Sequence, residues 1–337
     1  MNSESVDLIY LDPPFNSKRN YAAPIGSEAA GAEFKDTWTL SDIDEVWIDL
    51  LREKHNRLHK YLIWAPQTNS DKSYLVYMSM RLLEMRRVLK NTGSIYLHCD
   101  PTMSHYLKGV LDCIFGIDKF RNEIIWHYAK GYGPKNDLRR KHDIILRYAK
   151  GANFYFEPPT YKHLKSQLYR FNMIDEEGRK YRINHVKDRD GEYKRFYLDD
   201  GIKADDVWSY LRESEFDQLP HNSSETVGYP TQKPLSLLER IIRSSSREGD
   251  LVIDPFAGCA TTCVAAAKLR RRWIGIDISP MASKLVAQRI KSDLDIVDES
   301  VYGKHVHRTD IPQRTDLGTL PPPRSHKDTL YGKQGGY

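Results

Sequence analysis

The residues with chemistry in them are Asp12-Pro13-Pro14-Phe15. Two consecutive prolines fix two φ angles and supply no N–H, so they hold the groups around them rigidly. Those groups are a carboxylate, peptide carbonyls with no local ladder to join, and an aromatic face. Together they make an acceptor pair beside a stacking platform, which suits a planar base bearing an exocyclic NH2. The four residues follow Val6-Asp7-Leu8-Ile9-Tyr10-Leu11, a short apolar run that reads as a buried strand. The carboxyl end of such a strand is where open α/β sheets bind ligands. Taken alone, the tetrapeptide is read equally well as a polar exit from strand to loop.

A second stretch changes that balance. Leu251-Val252-Ile253-Asp254 is again a strand, followed by a turn around Gly258 and a helix through Cys263 to Leu269. Residues 273–278 form the next strand and carry Asp277, an acid at the spacing of a βαβ nucleoside site, where it binds ribose hydroxyls. The turn is not the dinucleotide GxGxxG, and it lacks the lysine of a phosphate loop. It needs only to bring backbone close to a ligand whose negative group is small, with a helix N-terminus behind it.

With both stretches in view, the chain resembles the amino-directed DNA methyltransferases, of the subgroup whose catalytic motif precedes the cofactor motif. The resemblance runs over residues 6–290 apart from a variable middle. Asp12, Pro13, Pro14 and Phe15 stand at the family's catalytic tetrapeptide. Asp254, Pro255, Phe256, Ala257, Gly258, Cys259, Thr261 and Thr262 stand at its S-adenosylmethionine loop, and Tyr229-Pro230-Thr231-Gln232-Lys233-Pro234 at the segment before that loop.

What the resemblance implies is a Rossmann-like α/β methyltransferase fold with an inserted target-recognition region. S-adenosylmethionine is the implied cofactor, with Asp277 on its ribose and Lys233 toward its methionine end. No metal is implied. The implied partner is double-stranded DNA, and a restriction endonuclease counterpart and a homodimer are left open. The implied reaction is transfer to the N6 amine of a flipped adenine, because the tetrapeptide begins with Asp where many cytosine-N4 members carry Ser. Phe15 replaces the commoner Tyr, so cytosine-N4 stays as the alternative, beside a DNA-binding relative that has lost catalysis. Relatives also tend to begin with an extra strand and a Gly-Asp turn, whereas five residues precede Val6 here.

Composition agrees with one large α/β domain plus an insertion, which 337 residues can hold with ample core. A net charge of +5, from 51 basic and 46 acidic residues, is too balanced to carry a nucleic-acid argument, so distribution must. Cys99, Cys113, Cys259 and Cys263 form no CxxC pair and suggest reduced thiols in a cytoplasmic protein. No cysteine follows a proline, so a Pro-Cys nucleophile of the carbon-5 cytosine kind is missing. No apolar run approaches a membrane span, and the N-terminus does not read as a signal peptide.

Four segments are expected: 1–150 as the catalytic half, 151–227 as target recognition, 228–295 as the cofactor half and 296–337 as a linker-like tail. In the first, Lys18 and Arg19 follow the tetrapeptide in a loop placed to close over substrate and DNA. Helices are expected over 42–60, opened by Ser41 with Asp44, over 74–89 with Arg81, Arg86 and Arg87 on the outer side, and over 102–115. Asn91-Thr92-Gly93 is expected to end the second helix, and 94–98 to be a strand in a series of crossovers. His98, at that strand's end, reads as a structural hydrogen-bonding residue.

Strands over 122–128 and 143–148 flank a basic loop with Lys130, Lys135, Arg139, Arg140 and Lys141. Residues 119–150 hold nine Lys/Arg against three Asp/Glu, which reads as a phosphate clamp. In the insertion, 161–195 is basic with interleaved aromatics and is expected on DNA, while the acidic 199–225 is expected to pack or to avoid phosphate. A helix over 234–247, with proline at its start, leads into the cofactor strand.

Overall fold

The computed structural model describes residues 1–277 except 19, 23–26, 28–32, 41, 130–132, 134, 164, 188–189, 213–216, 220–222 and 224, and beyond them 285 and 289. Arg19, Lys130, Ser41 and the tail 296–337 therefore lie outside the described residues.

The run Val6–Leu11 forms β1, and both of its faces are apolar because both are covered. A small hairpin, β2 (Asn20–Ala22) and β3 (Glu33–Lys35), returns the chain toward it. Helices α1 (Asp42–Lys54), α2 (Asn56–Trp64) and α3 (Asn69–Val88) follow, then β4 (Leu89–Cys99), α4 (Ser104–Ile114), β5 (Phe120–His127) and β6 (His142–Ala149). Next come the short strands β7 (Thr160–Tyr161), β8 (Met173–Ile174), β9 (Lys180–Lys187), β10 (Tyr193–Tyr197) and β11 (Ile202–Lys203). The chain ends its described part with β12 (Val207–Ser209), α5 (Leu235–Ser245), β13 (Leu251–Asp254), α6 (Thr261–Lys268) and β14 (Arg272–Gly275).

Seven strands make the main sheet in the order β12-β5-β6-β4-β1-β13-β14. All its pairings are parallel except β4 with β6 and β5 with β6. Val6, Ile9 and Leu11 pack with α1–α4 on one face; Leu8 and Tyr10 pack with α5 and α6 on the other. Leu237, Leu238, Ile241 and Ile242 of α5 are fully buried, each contributing about 1.5–3 kcal/mol relative to an exposed position. From β1 the chain winds outward through β4, and from β13 it winds the opposite way to β14. The seam between β1 and β13 is therefore a topological switch point, where the loops at the strand ends part and leave a crevice. This is a Rossmann-like α/β architecture.

Several local expectations are corrected. The helix expected over 42–60 is two helices, broken at His55, whose ψ of 53° is not helical. The next helix starts five residues early, at Asn69, because the Thr68 side chain accepts the Asp71 N–H as an N-cap. Asp44 accepts from the Ser73 hydroxyl at 2.9 Å. Asn91-Thr92-Gly93 lies within β4, since Leu89 turns the chain straight into extended backbone. A Cβ at Gly93 would stand 2.7 Å from the Asp7 carbonyl, so that residue allows close strand approach rather than a turn. The crossovers expected around β4 are present: β1 and β4 pair in parallel, and β4 and β5, both antiparallel to β6, run the same way with α4 between them, so that only the β5–β6 hairpin departs from the series. Pro234 precedes α5 as its N-cap, in extended backbone.

Residues Phe156–Asp206 form a second compact unit, narrower than the expected 151–227 because Val207–Ser209 joins the main sheet beside β5. Its three-stranded antiparallel sheet, β8-β9-β10, alternates cations with aromatics. Arg195 stands over Tyr181, Arg182 over Phe196, and Arg179 over Tyr197. Arg179 also donates to Asp199 and Asp200, two acids of the segment expected to pack rather than to touch phosphate.

Candidate active site

Parallel pairing of β1 with β13, Leu8 beside Val252 and Ile9 beside Ile253, brings the carboxyl ends of both strands together. Asp12 and Asp254, far apart in sequence, thereby open on one cavity of about 430 Å³. Pro13, Pro14 and Phe15 line it from the first strand end; Pro255, Phe256, Ala257, Gly258, Cys259, Thr261 and Thr262 line it from the second. Asp277 reaches it from beyond β14, and Lys233 from the segment before α5.

The Lys233 ammonium donates to Asp12 Oδ2 at 2.5 Å and to the Thr231 carbonyl at 3.3 Å. Lys233 also stands over the Phe15 ring, 5.5 Å from its centroid. Phe15 is stacked on His98, with 5.8 Å between centroids and 22° between planes. His98 is wholly buried. Its Nδ1 is 2.9 Å from the Tyr10 hydroxyl and its Nε2 is 3.1 Å from Asp143 Oδ2. Since a carboxylate can only accept, Nε2 carries the proton and the Tyr10 O–H donates to Nδ1. Burial pushes the Tyr10 hydroxyl well above the ordinary tyrosine value, which keeps it a donor. Burial alone would raise the Asp143 carboxyl, but hydrogen bonds from His98 and Tyr128 and the charge of Lys233 outweigh it and hold Asp143 below the usual carboxylate range. His98 is thus the hydrogen-bonded structural residue expected from its position, and more specifically the support beneath Phe15.

The loop after Phe15 is tied by a residue that no spacing marks. The Asp36 carboxylate is buried and accepts the N–H groups of Phe15 at 3.2 Å, Asn16 at 2.7 Å and Ser17 at 2.7 Å, with the Trp38 indole at 3.3 Å. The Lys18 N–H donates to the Asp36 carbonyl. Asn16 and Lys18 both take a φ of 59°, a left-handed conformation that the surrounding bonds must hold for non-glycine residues. Asn16 is held from its side chain too, donating to Asp71 and accepting from Ser70. The β2–β3 hairpin is what returns Asp36 to this position, which is why sequence order conceals it.

On the cofactor-loop side, Asp254 is buried and accepts from the Phe256 N–H at 2.9 Å and the Thr262 hydroxyl at 2.6 Å. Burial, with Asp12 and Asp277 adding to it, pushes its carboxyl up to about 7 despite those hydrogen bonds. Asp277 Oδ2 accepts the Gly258 N–H at 2.8 Å, so this acid shapes the loop. Gly258 has a φ of 51°, and a Cβ there would lie 3.0 Å from the Tyr229 ring. Ala260 has a φ of 65° at the start of α6, so the turn does need the left-handed region there. Arg289 is buried and donates to the Cys259 carbonyl and the Thr261 hydroxyl.

Lys135, Arg139 and Arg140 are exposed between β5 and β6, and Lys18 is exposed after the tetrapeptide. Lys141 differs: its ammonium donates to the Ala129 carbonyl. Arg81 was expected on the outer side of its helix but lines the cavity. Asp36 and Arg81 are charged residues of the cavity lining that sequence reasoning missed.

A model of the DNA methylase family, the N6/N4 methyltransferases, matches residues 6–288. The chain is 41% identical over 302 residues to the Type II methyltransferase M2.DpnII of Streptococcus pneumoniae, covering 87% of this chain and 85% of that one. It is 29% identical over 366 residues to the Type II methyltransferase M.EcaI of Enterobacter cloacae, covering 94% and 70%. It is 27% identical over 290 residues to the DNA adenine methyltransferase YhdJ of Escherichia coli (strain K12), covering 86% and 77%. With that family's model spanning both strand ends that build the cavity, the chain belongs to the N6/N4 DNA methylases, enzymes that use S-adenosylmethionine to methylate DNA.

Proposed function

We propose that this chain transfers a methyl group from S-adenosylmethionine to the N6 amine of an adenine flipped out of double-stranded DNA. The observation that carries this reading is the convergence of Asp12, Phe15 and the loop from Asp254 to Thr262 on one cavity. A cavity of about 430 Å³ falls in the range of small-molecule sites. Its acids, Asp12, Asp254 and Asp277, suit a ligand with a cationic sulfonium and ribose hydroxyls. Asp277 would hold the ribose, and the backbone at Phe256 to Cys259 would run along the methionine. When bound, S-adenosylmethionine supplies an electrophilic methyl group.

An adenine amine is a poor nucleophile because its lone pair is delocalised into the ring, and in a duplex it is out of reach. Flipping costs a few kcal/mol of stacking and pairing, which stacking on the His98-supported Phe15 ring partly offsets. Asp12 and the Pro13 carbonyl accept the two amine hydrogens. Those bonds favour a tetrahedral nitrogen with its lone pair exposed, and stabilisation aimed at that geometry is what accelerates transfer. Lys18, Lys135, Arg139 and Arg140 would contact phosphate, and the cation–aromatic sheet of the second unit would contact the target sequence.

Adenine is preferred over cytosine on the Asp at the head of the tetrapeptide, and the YhdJ relative is named as an adenine enzyme. A restriction endonuclease counterpart fits the Type II names of the other relatives. Cytoplasmic placement is supported by four free cysteines. No helix among the described residues is long and apolar enough to cross a membrane.

The test is to treat DNA with the protein and methyl-labelled cofactor, digest it, and identify the labelled nucleoside by mass spectrometry. N6-methyladenine is expected. N4-methylcytosine would replace the base assignment. Cofactor binding without any labelled nucleoside would place the chain with relatives that have lost catalysis.

A further inference from the structure

We propose that Leu138 is the wedge that enters the base stack of DNA as the target base leaves it, an inference that rests on the flipped-base reading above. The opening that an extruded base leaves is walled by the flat, apolar faces of its neighbours. A leucine side chain has no polar atom, so it fills such an opening without stranding a donor or an acceptor. Apolar side chains inserted between base steps are a recurring device of proteins that deform a duplex. Leu138 is 86% exposed, and no other large apolar side chain among the described residues is more so. Single exposed leucines are ordinary. What separates this one is its neighbours and its place in the fold. It stands directly before Arg139 and Arg140 and three residues after Lys135, all exposed, so it is carried by the segment that would meet phosphate.

The place follows from the sheet. β6 pairs antiparallel with both β4 and β5, so the loop between β5 and β6 leaves the sheet at the edge where β4 and β1 end, the edge that carries Asp12 and Phe15. Leu138 is three residues before Lys141, a reach of at most about 11 Å from the root of the loop. That root is fixed. The Tyr128 N–H donates to the Lys141 carbonyl at 3.0 Å, the Lys141 ammonium to the Ala129 carbonyl, and the Ala129 N–H to Asp217 Oδ1 at 2.7 Å. Within the loop, Asp137 Oδ1 accepts the Leu138 N–H at 2.7 Å. Gly133 lies so close to the Arg139 side chain that a Cβ there would stand 2.3 Å from its Cγ. The same root reaches the stacking platform: the Tyr128 hydroxyl donates to Asp143 Oδ1 at 3.2 Å, Asp143 Oδ2 accepts from His98, and His98 is stacked on Phe15. The residue that would fill the opening and the ring that would receive the base therefore rest on one hydrogen-bonded frame.

The experiment is single-turnover methylation of two duplexes, each carrying the site that the wild-type chain methylates. One is fully paired, and the other has an abasic position opposite the target base. Loss of pairing lowers the cost of flipping, so the second duplex needs less help from a wedge. Leu138→Ala is expected to lose about tenfold in rate on the paired duplex, the scale set by the apolar area removed, and to come within a few fold of wild type on the abasic one. Leu138→Met, apolar and of similar volume, is expected to recover most of the loss. A wild-type rate for Leu138→Ala on the paired duplex overturns the inference. So does an equal loss on both duplexes, which would mark a structural role, and so does a loss in Leu138→Met as deep as in Leu138→Ala. A wild-type chain that methylates no DNA would remove the proposed reaction itself, and the inference with it.

Discussion

The Lys233 ammonium and the Asp12 carboxylate are bonded at 2.5 Å across 221 residues of sequence, with side chains 8% and 18% exposed. This pair commits Asp12 Oδ2, and in the proposed reaction it is the other oxygen that accepts the substrate amine. Asp12→Ala is expected to abolish methyl transfer while leaving cofactor affinity within a few fold, because the carboxylate addresses the base. Lys233→Met should lower kcat by about tenfold or more, the scale of one lost hydrogen bond to a charged group. Lys233→Arg should recover part of it. Single-turnover methylation of a target duplex checks all three, and near-normal turnover by Asp12→Ala would defeat the catalytic assignment.

Asp36 makes a second prediction, because one buried carboxylate accepts three successive loop N–H groups. Asp36→Asn puts an amide donor where an acceptor stood, leaving backbone donors facing another donor. The loop carrying Phe15 should then lose its fixed position, at a cost of about 1–3 kcal/mol for the unsatisfied groups. The expected result is a fall in kcat and a weaker fluorescence rise from 2-aminopurine at the target base, with cofactor affinity kept. An unaltered fluorescence response would show that Asp36 does not set the stacking platform.

Asp254 predicts a pH dependence. Its carboxyl is pushed up to about 7 in the folded chain, from an ordinary value of 3.8. The folded state therefore keeps a proton that the unfolded chain releases. The stabilisation from this group is fully present below about pH 4 and is lost as pH rises to about 7, by as much as about 4 kcal/mol. Asp254→Asn should remove that slope. Urea unfolding at pH 5 and pH 8 is the measurement, and parallel pH dependence in both proteins would exclude the assignment.

Ala260 sits in the left-handed region with a φ of 65° and a ψ of 28°. A non-glycine residue there costs roughly 1–2 kcal/mol, while glycine adds unfolded-chain entropy worth roughly 0.4–1 kcal/mol. Ala260→Gly should therefore stabilise the protein by roughly 0.5–1 kcal/mol, read as a higher urea midpoint. A lower midpoint would mean that the packing of the buried methyl outweighs the strain.

The basic loop divides by geometry. Neutralising Lys135, Arg139 and Arg140 should weaken binding to target and random duplexes alike and flatten the salt dependence, by up to about 0.9 for each phosphate that the loop no longer neutralises. Lys141→Ala should change that slope little, because its ammonium is on the Ala129 carbonyl. Changes at Arg182 or Arg195 should instead alter which sequences are methylated. If the loop variant shifted sequence preference and kept its salt slope, the two roles would be reversed.

The sequence by itself determined the strands that end in Asp12 and Asp254, the glycine turn and the helix behind it, and the order of the motifs. These are local: apolar runs, prolines and glycine act over a few residues, so their meaning survives without the fold. Only the tertiary structure decided which side chains face one another. Parallel pairing of β1 with β13 puts Lys233 on Asp12, and the β2–β3 hairpin swings Asp36 under the loop that holds Phe15. Arg81 reads as an outward residue by helical spacing, yet it lines the cavity together with Tyr77 of the same helix. Such pairings depend on contacts across tens to hundreds of residues, and no periodicity in the chain encodes them.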